Sequence, residues 1–295
     1  MASPSTPVPQ SRAAIVTVSY GSFEVLKGFL TSVPQSSTLP TTVIVADNKP
    51  EGDERVATLS REHAVTYLPL RENLGYGGAI NAAVETLPPS VEWILVSNPD
   101  VSLEPGALDT LVATGDSDPS IGSVGPVVLT AEGEVYPSAR SVPSLRNGVG
   151  HALLANLWVD NPWSRAYRND AEEPVERRDA GWLSGSCVLV RRTAFTELGG
   201  FDTGFFMYFE DVDLGYRLGS SGYRNVYEPA ARVVHTGAHS TTSDSARMIS
   251  AHHESARRFL NKKYAGWWLW PVRVVLTVGL RFRSALVRSS LRKAR

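Results

Sequence analysis

Apolar residues in the first hundred positions come in two rhythms. Short dense blocks, Ala13-Ala14-Ile15-Val16-Thr17-Val18-Ser19, Val43-Ile44-Val45-Ala46 and Val91-Glu92-Trp93-Ile94-Leu95-Val96-Ser97, read as strands buried on both faces, and a further strand is predicted over 64–68. Between them the spacing of three and four predicts helices over 23–30, 51–61 and 79–87. Strand and helix in alternation predict an α/β chain with a mostly parallel central sheet flanked by helices. Such sheets bind ligands outside the carboxyl ends of their strands. Polar residues stand at three of those ends: Ser19, Asp47 with Asn48, and Asn98 with Asp100.

A second pattern lies further along, in Phe205-Phe206-Met207-Tyr208-Phe209-Glu210-Asp211-Val212-Asp213-Leu214-Gly215-Tyr216-Arg217. A mostly aromatic run leads straight into three carboxylates within four positions. From Glu210 the spacing is helical, with Val212, Leu214 and Leu218 towards a core and Asp213 paired with Arg217 at i,i+4. Glu210 and Asp211 fall in the first turn, where free N–H groups and the helix dipole favour negative charge. An acidic helix start after a buried strand accounts for this plainly. The aromatic wall and the Gly199-Gly200-Phe201-Asp202 lead-in argue instead for a carboxylate at the side of a cleft.

Between 130 and 180 no period holds. Arg140, Arg146, Trp158, Trp163, Arg165, Tyr167 and Arg168 suit a lid, an acceptor groove or a solvated loop pair, and are assigned no site role. The apolar run from Trp267 to Leu280 is fourteen residues long and broken by Arg273, too short for a membrane span. Continued as a helix, the tail sets Leu269, Val272, Leu276, Leu286 and Val287 against Arg281, Arg288 and Arg292.

Composition adds limits. At 42% hydrophobic and 20% charged, the 295 residues are globular rather than disordered. Cys187, the single cysteine, lies in an apolar run, so no intrachain disulfide framework exists. The first eleven residues are a loose Ser/Pro/Thr tail without the basic and apolar parts of a secretion signal, so a cytoplasmic location is expected. The net charge of −1 conceals eleven Lys or Arg and no acid after position 254, against −12 before it. Trp with a polybasic end suits the face of an anionic membrane, here the inner face, as a peripheral anchor; docking on the protein's own core is the plainer alternative. Nucleic acid is not expected, since the body is acidic and carries no nucleic-acid motif.

Two motifs carry candidate chemistry. Asn73-Leu74-Gly75-Tyr76-Gly77-Gly78 resembles a phosphate-cradling turn, though it is neither a Walker loop nor a dinucleotide fingerprint. Asn98-Pro99-Asp100 at a strand end suits a hard divalent cation shared with substrate phosphates, or simply a turn. Asp47 suits a base or ribose and equally an Asx turn.

Taken in order, Val16-Thr17-Val18-Ser19-Tyr20, Val45-Ala46-Asp47-Asn48, the Gly-rich turn through Asn81, Asn98-Pro99-Asp100-Val101, Trp182-Leu183-Ser184-Gly185-Ser186 and Phe209-Glu210-Asp211-Val212-Asp213-Leu214 resemble the motifs of family 2 glycosyltransferases, in particular the rhamnosyltransferase branch. The resemblance covers roughly residues 12–240 and implies a GT-A, Rossmann-like domain there, between a flexible tail at 1–11 and a helical, basic, membrane-associating extension at 241–295. It implies inverting transfer of L-rhamnose from dTDP-L-rhamnose to a polyprenyl-diphosphate-linked GlcNAc lipid acceptor in cell-wall linker (arabinogalactan) synthesis. By the same resemblance Asp211 is the base, and Ser19, Asp47, Asn73, Gly75, Asn98 and Asp100 bind the nucleotide sugar. Asp100 and His235 hold a divalent metal, Mn²⁺ or Mg²⁺, while Trp182, Ser184, Gly185 and Glu210 form the acceptor or sugar pocket. Asn98 departs from the family's D-x-D by carrying no charge. A UDP-hexose donor, a non-catalytic nucleotide- or membrane-binding module, and assembly into a homo-oligomer all stay open at this stage.

Overall fold

Strand β1 (Ala13–Ser19) is buried at every position and pairs in parallel with β2 (Thr41–Asp47) on one side and β4 (Trp93–Ser97) on the other. A computed structural model describes residues 11–144, 176–237, 245–271 and 274. The readings made for the first ten residues, for 145–175 and for the helix beyond 271 lie outside the described residues. With β3 (Thr66–Pro69), β5 (Val101–Leu103), β6 (Ile121–Leu129), β11 (Cys187–Arg191) and β12 (Arg224–His235), the main sheet runs in the order β3-β2-β1-β4-β11-β6-β12-β5, with the short strands β7 (Val135–Tyr136) on β6 and β9 (Arg178–Ala180) on β12, and β8 (Ala139–Arg140) pairing β10 (Trp182–Leu183) separately. Along this path only β11 and β5 run against the others. The expectation of a mostly parallel sheet covered on both faces is met.

Alternate side chains of each strand feed two cores. Ala14, Val16, Val96 and Val188 pack under helices α3 (Gly75–Glu85) and α6 (Glu210–Ser220). Ala13, Ile15, Leu95 and Leu189 pack under α1 (Phe23–Ser36), α2 (Glu54–Glu62) and α4 (Ala107–Asp116). Burial on both sides is why the strand sequences are continuous apolar runs rather than alternating ones.

Three element boundaries differ from the sequence reading for physical reasons. Helix α1 runs past Leu30 to Ser36 with Pro34 inside it, because its apolar face continues and Ser32, donating to Phe29 O and accepting from Leu103 N, ties it to β5. Helix α3 starts at Gly75 rather than at residue 79, since the glycines form its first turn. The aromatic run 205–209 is an irregular loop rather than a strand, with Tyr208 and Phe209 at φ of +68° and +66°. A last described helix, α7 (Ser245–Lys263), follows a short α5 (Arg192–Glu197) and α6 in the chain and packs against that loop.

Candidate active site

Strand direction assembles the site. With β1, β2, β4 and β12 parallel and β11 and β5 reversed, one edge of the sheet collects Ser19, Asp47, Asn98 to Asp100, the Ser184-Gly185-Ser186 turn that enters β11, and His235 at the end of β12. Residues far apart in sequence thereby share one strip.

Asp211 sits in the first turn of α6. Its Oδ2 accepts the Gly185 N–H at 2.9 Å and its Oδ1 the N–H of Val212 at 2.8 Å. Burial raises its pKa against the lowering effect of these bonds. Glu210 beside it is buried, with Oε2 lacking a hydrogen-bond partner, and burial together with the Asp211 charge pushes its carboxyl well above the usual range. Burial and mutual repulsion disfavour charging both neighbouring carboxyls at once. The geometry behind this placement is strained. Tyr208 and Phe209, both in the left-handed region and neither a glycine, turn the chain into α6 at a cost on the order of 1 kcal/mol each.

At the far side of the 184–186 turn, Ser186 O accepts the Asn98 N–H at 2.9 Å. Asp100 Oδ1 lies 3.1 Å from His235 Nε2, and the Asn98 amide nitrogen 3.4 Å from the same ring atom. The pair is fixed by backbone: β5 and β12 place His235 opposite Val101, and Thr236 donates both its N–H and its hydroxyl to Asp100 O at 3.1 Å. A carboxylate oxygen and an imidazole nitrogen at that separation are spaced as neighbouring ligands of one six-coordinate cation, whose bonds of about 2.1 Å set edges near ~3 Å. Among the described residues no third His, Cys, Asp or Glu joins them.

The Gly-rich turn is built differently from what its glycines suggest. Asn73 Oδ1 accepts from Gly75 N–H (3.0 Å) and from the Asn48 amide (2.9 Å), Asn48 Oδ1 accepts Leu74 N–H (2.9 Å), and Tyr76 N–H goes to Phe206 O (3.2 Å). The N–H groups of Leu74, Gly75 and Tyr76 are therefore satisfied within the protein. A Cβ at Gly75, which has φ +72°, would fall 2.3 Å from Phe206 O, and one at Gly77 would fall 2.7 Å from Phe201 Cβ. These glycines let the turn close onto the loop that carries Asp211. Asp47 is wholly buried; its Oδ2 accepts from Tyr67 OH and Asp53 N–H, both at 2.8 Å, and its Oδ1 from Lys49 N–H at 3.3 Å, the last an Asx-type turn. Ser19, opposite Asp47 in the ladder, is buried with its hydroxyl lacking a hydrogen-bond partner.

Ser184 and Ser186 hydroxyls meet at 3.0 Å, and a Cβ at Gly185 would stand 3.3 Å from Asp211 Cβ. Trp182 instead packs its Cβ against Gly215 of α6 and donates Nε1–H to Ser141 O at 3.2 Å, behind the strip. The residues brought together are thus Asp211, Glu210, Gly185 and Ser184 at one end and Asn98, Asp100 and His235 at the other, with Ser19, Asp47, Asn73 and Gly75 along the same edge. Sequence reasoning passed over three that link them. Tyr76 is a partly buried phenol donating to Gly185 O at 2.7 Å, with its pKa raised by desolvation and then by Glu210, Asp211, Cys187 and Asp100. Asn48 stitches the Gly-rich turn to β2, and Ser186 joins Asn98 to the turn beside Asp211. All three lie inside motifs singled out from sequence, but their work is done by backbone contacts, which residue type does not announce.

Residues 9–253 match the model of the family described as glycosyltransferase like family 2. The chain is 45% identical over 291 residues to the N-acetylglucosaminyl-diphospho-decaprenol L-rhamnosyltransferase of Mycobacterium tuberculosis, covering 95% of this chain and 94% of that one. It is 28% identical over 195 residues to the rhamnosyltransferase WbbL of Escherichia coli K12, covering 64% of this chain and 71% of the other. Among solved structures, the mannosyltransferase PcManGT of Pyrobaculum calidifontis, in complex with GDP-Man and Mn²⁺, aligns with a TM-score of 0.60 at 14% identity over 98% of this chain and 81% of that one. GalNAc-T7 with UDP, GalNAc and Mn²⁺ aligns at 0.56 and 14% identity over 77% of this chain and 44% of its own. Likeness at this level of identity is a likeness of fold, and the fold is GT-A.

Proposed function

We propose, for a chain that belongs to the family 2 glycosyltransferases, that it transfers L-rhamnose with inversion from dTDP-L-rhamnose to a polyprenyl-diphosphate-linked GlcNAc, as in cell-wall linker (arabinogalactan) assembly. The observation that carries the reading is the enclosed Asp211, held by the Gly185 and Val212 N–H groups on the same strip as Asp100 and His235. The name of the mycobacterial relative, 45% identical over nearly the whole chain, supports the sugar and the acceptor.

In this mechanism Asp211 removes the proton from the acceptor hydroxyl as that oxygen attacks the anomeric carbon from the side opposite the leaving diphosphate. A single in-line displacement needs a base on one side and charge stabilisation on the other. Burial keeps Asp211 basic enough for the task, and its two backbone donors fix the direction of its free lone pairs. Glu210, Ser184 and Gly185 line the sugar end, with Trp182 supporting it through α6. Ser19, Asp47, Asn73 and Gly75 border the nucleotide. Asp100 and His235 would hold a divalent cation, with the neutral Asn98 beside them; when bound, it supplies Lewis-acid stabilisation of the departing diphosphate. A lipid-linked acceptor calls for work at a membrane surface, and the exposed Trp267, Trp268 and Trp270 with the basic tail support peripheral binding to an anionic bilayer. No helix among the described residues is long and apolar enough to cross a membrane.

Donor binding by calorimetry, with dTDP-rhamnose, UDP-galactose and UDP-glucose in the presence and absence of Mn²⁺ or Mg²⁺, tests the reading together with turnover of Asp211→Asn. The expected result is metal-enhanced, selective binding of dTDP-rhamnose by both proteins, and turnover in the variant lower by about 100-fold or more. Preference for a UDP sugar would remove the rhamnose, and undiminished turnover would remove Asp211 from its role.

A further inference from the structure

The loop that delivers Asp211 is gripped from outside by α7, and by residues of α7 that lie beyond the stretch matching the family model, which ends at 253. Ser255 Oγ donates to Met207 O at 2.8 Å, inside the loop. The fully buried Phe259 ring packs on Phe209 at 5.8 Å between centroids and edge-on against Tyr216 of α6 at 5.9 Å. His252, one turn earlier, meets the rings of Tyr208 and Phe209 at 5.5 and 5.3 Å. Arg258 and Lys262 cover the Phe205 ring and bind Asp202 at 3.1 and 2.8 Å, and Lys262 reaches Asp213 of α6 at 2.7 Å. The helix thus holds the chain before the loop, inside it and just after it.

Something must hold this loop. Two successive left-handed non-glycine residues return to ordinary backbone angles unless their surroundings forbid it. From the sheet side the loop has the Tyr76 N–H on Phe206 O and the close approach of Gly75. From the outer side it has α7. The two left-handed residues immediately precede Glu210-Asp211, so their angles decide where the Asp211 carboxylate lies relative to the Gly185 N–H.

We propose that Ser255 and Phe259 are positioning residues for Asp211: by pinning Met207 and Phe209 they keep the left-handed turn that aims the base, which makes α7 a working part of the active site rather than a tether. This rests on Asp211 being the base. The described contacts of Ser255 and Phe259 are with Met207, Phe209 and Tyr216 rather than with Asn98, Asp100 or His235, so the effect belongs to the chemical step and leaves donor binding alone.

The test uses the full chain and reads kcat and donor KM separately for Phe259→Ala, Phe259→Leu, Ser255→Ala, Asp211→Asn and Arg257→Ala. Arg257 lies on the same helix with its side chain paired to Glu254, and its variant serves as the helix control. The expected result for Phe259→Ala is a loss of about 10- to 100-fold in kcat, the range that ångström-scale misplacement produces, with donor KM within about threefold of the parent. Phe259→Leu, which refills most of the volume, recovers most of that loss, Ser255→Ala shows a smaller loss of the same kind, and Arg257→Ala is unchanged. The proposal is overturned by parental kcat in Phe259→Ala, or by kcat and donor affinity falling together without recovery in Phe259→Leu. If Phe259→Ala does not fold, parental kcat in both Ser255→Ala and Phe259→Leu overturns it, and lowered kcat at unchanged donor KM upholds it. Asp211→Asn separates the two readings: an active Asp211→Asn defeats the assignment of the base, whereas an inactive one beside a fully active Phe259→Ala defeats this inference alone.

Discussion

Glu210 and Asp211 stand side by side, one a buried carboxyl whose Oε2 has no hydrogen-bond partner, the other a carboxylate that the Gly185 and Val212 N–H groups favour in its charged form. Because the folded protein holds the Glu210 proton more tightly than the unfolded chain does, stability falls as pH rises from the ordinary carboxylate value of about 4 up through the raised one. Glu210→Gln removes that dependence. Thermal melts against pH are expected to show a variant that is as stable as the parent in acid and more stable above neutrality, and parallel curves would contradict the assignment. The roles of such residues were only partly readable beforehand. Acid type and a helix start could be seen at Glu210-Asp211; that one carboxyl is hydrogen-bonded and its neighbour has an unpartnered oxygen could not, because the difference is made by Gly185, a turn on another strand.

At the scale of elements, strands were the most legible part, since burial on both faces writes itself as an unbroken apolar run. Helix starts were less so. Glycine is a poor helix former, so spacing alone moved the start of α3 to Ala79, and only the close approach of Phe206 and Phe201 explains why glycines open it. Gly75→Ala meets both left-handed strain and the Phe206 carbonyl, and its expected cost is about 2–4 kcal/mol in chemical denaturation. A cost below half a kcal/mol would mean that the turn and the loop do not bear on each other. The loop 205–209 misleads in the opposite sense. Its aromatic residues look like a buried strand, yet only Phe205 is fully buried, Phe206 is exposed, and Phe209 is covered by rings of α7 rather than by a ladder. No local pattern records a partner some fifty residues away.

For the molecule as a whole, the mixed sheet decides which ends face one another, and the sequence revealed the parallel first half more readily than the reversed strands β11 and β5. The resemblance to known motifs supplied the order of the site residues; the placement of Asp100 beside His235 follows from β5 and β12 pairing antiparallel. The C-terminal region keeps two characters. Helix α7 docks on the body, while Trp267, Trp268 and Trp270 beyond it are 80%, 65% and 60% exposed, more than a folded interior would leave to large rings. Replacing all three by Ala is expected to weaken sedimentation with anionic vesicles by about tenfold, leaving a salt-sensitive remainder from the cations. Equal binding by parent and variant would rule out those rings as the contact.

The bond between Thr236 and Asp100 spans 136 positions, and Ser255 reaches back to Met207 from later still. During synthesis β1, β2 and β4 emerge and can pair early, whereas β12, which carries His235, and α7, which bonds the 205–209 loop, emerge later. A nascent chain therefore completes the sheet edge that carries Ser19, Asp47 and Asn98 before it has the helix that braces the 205–209 loop.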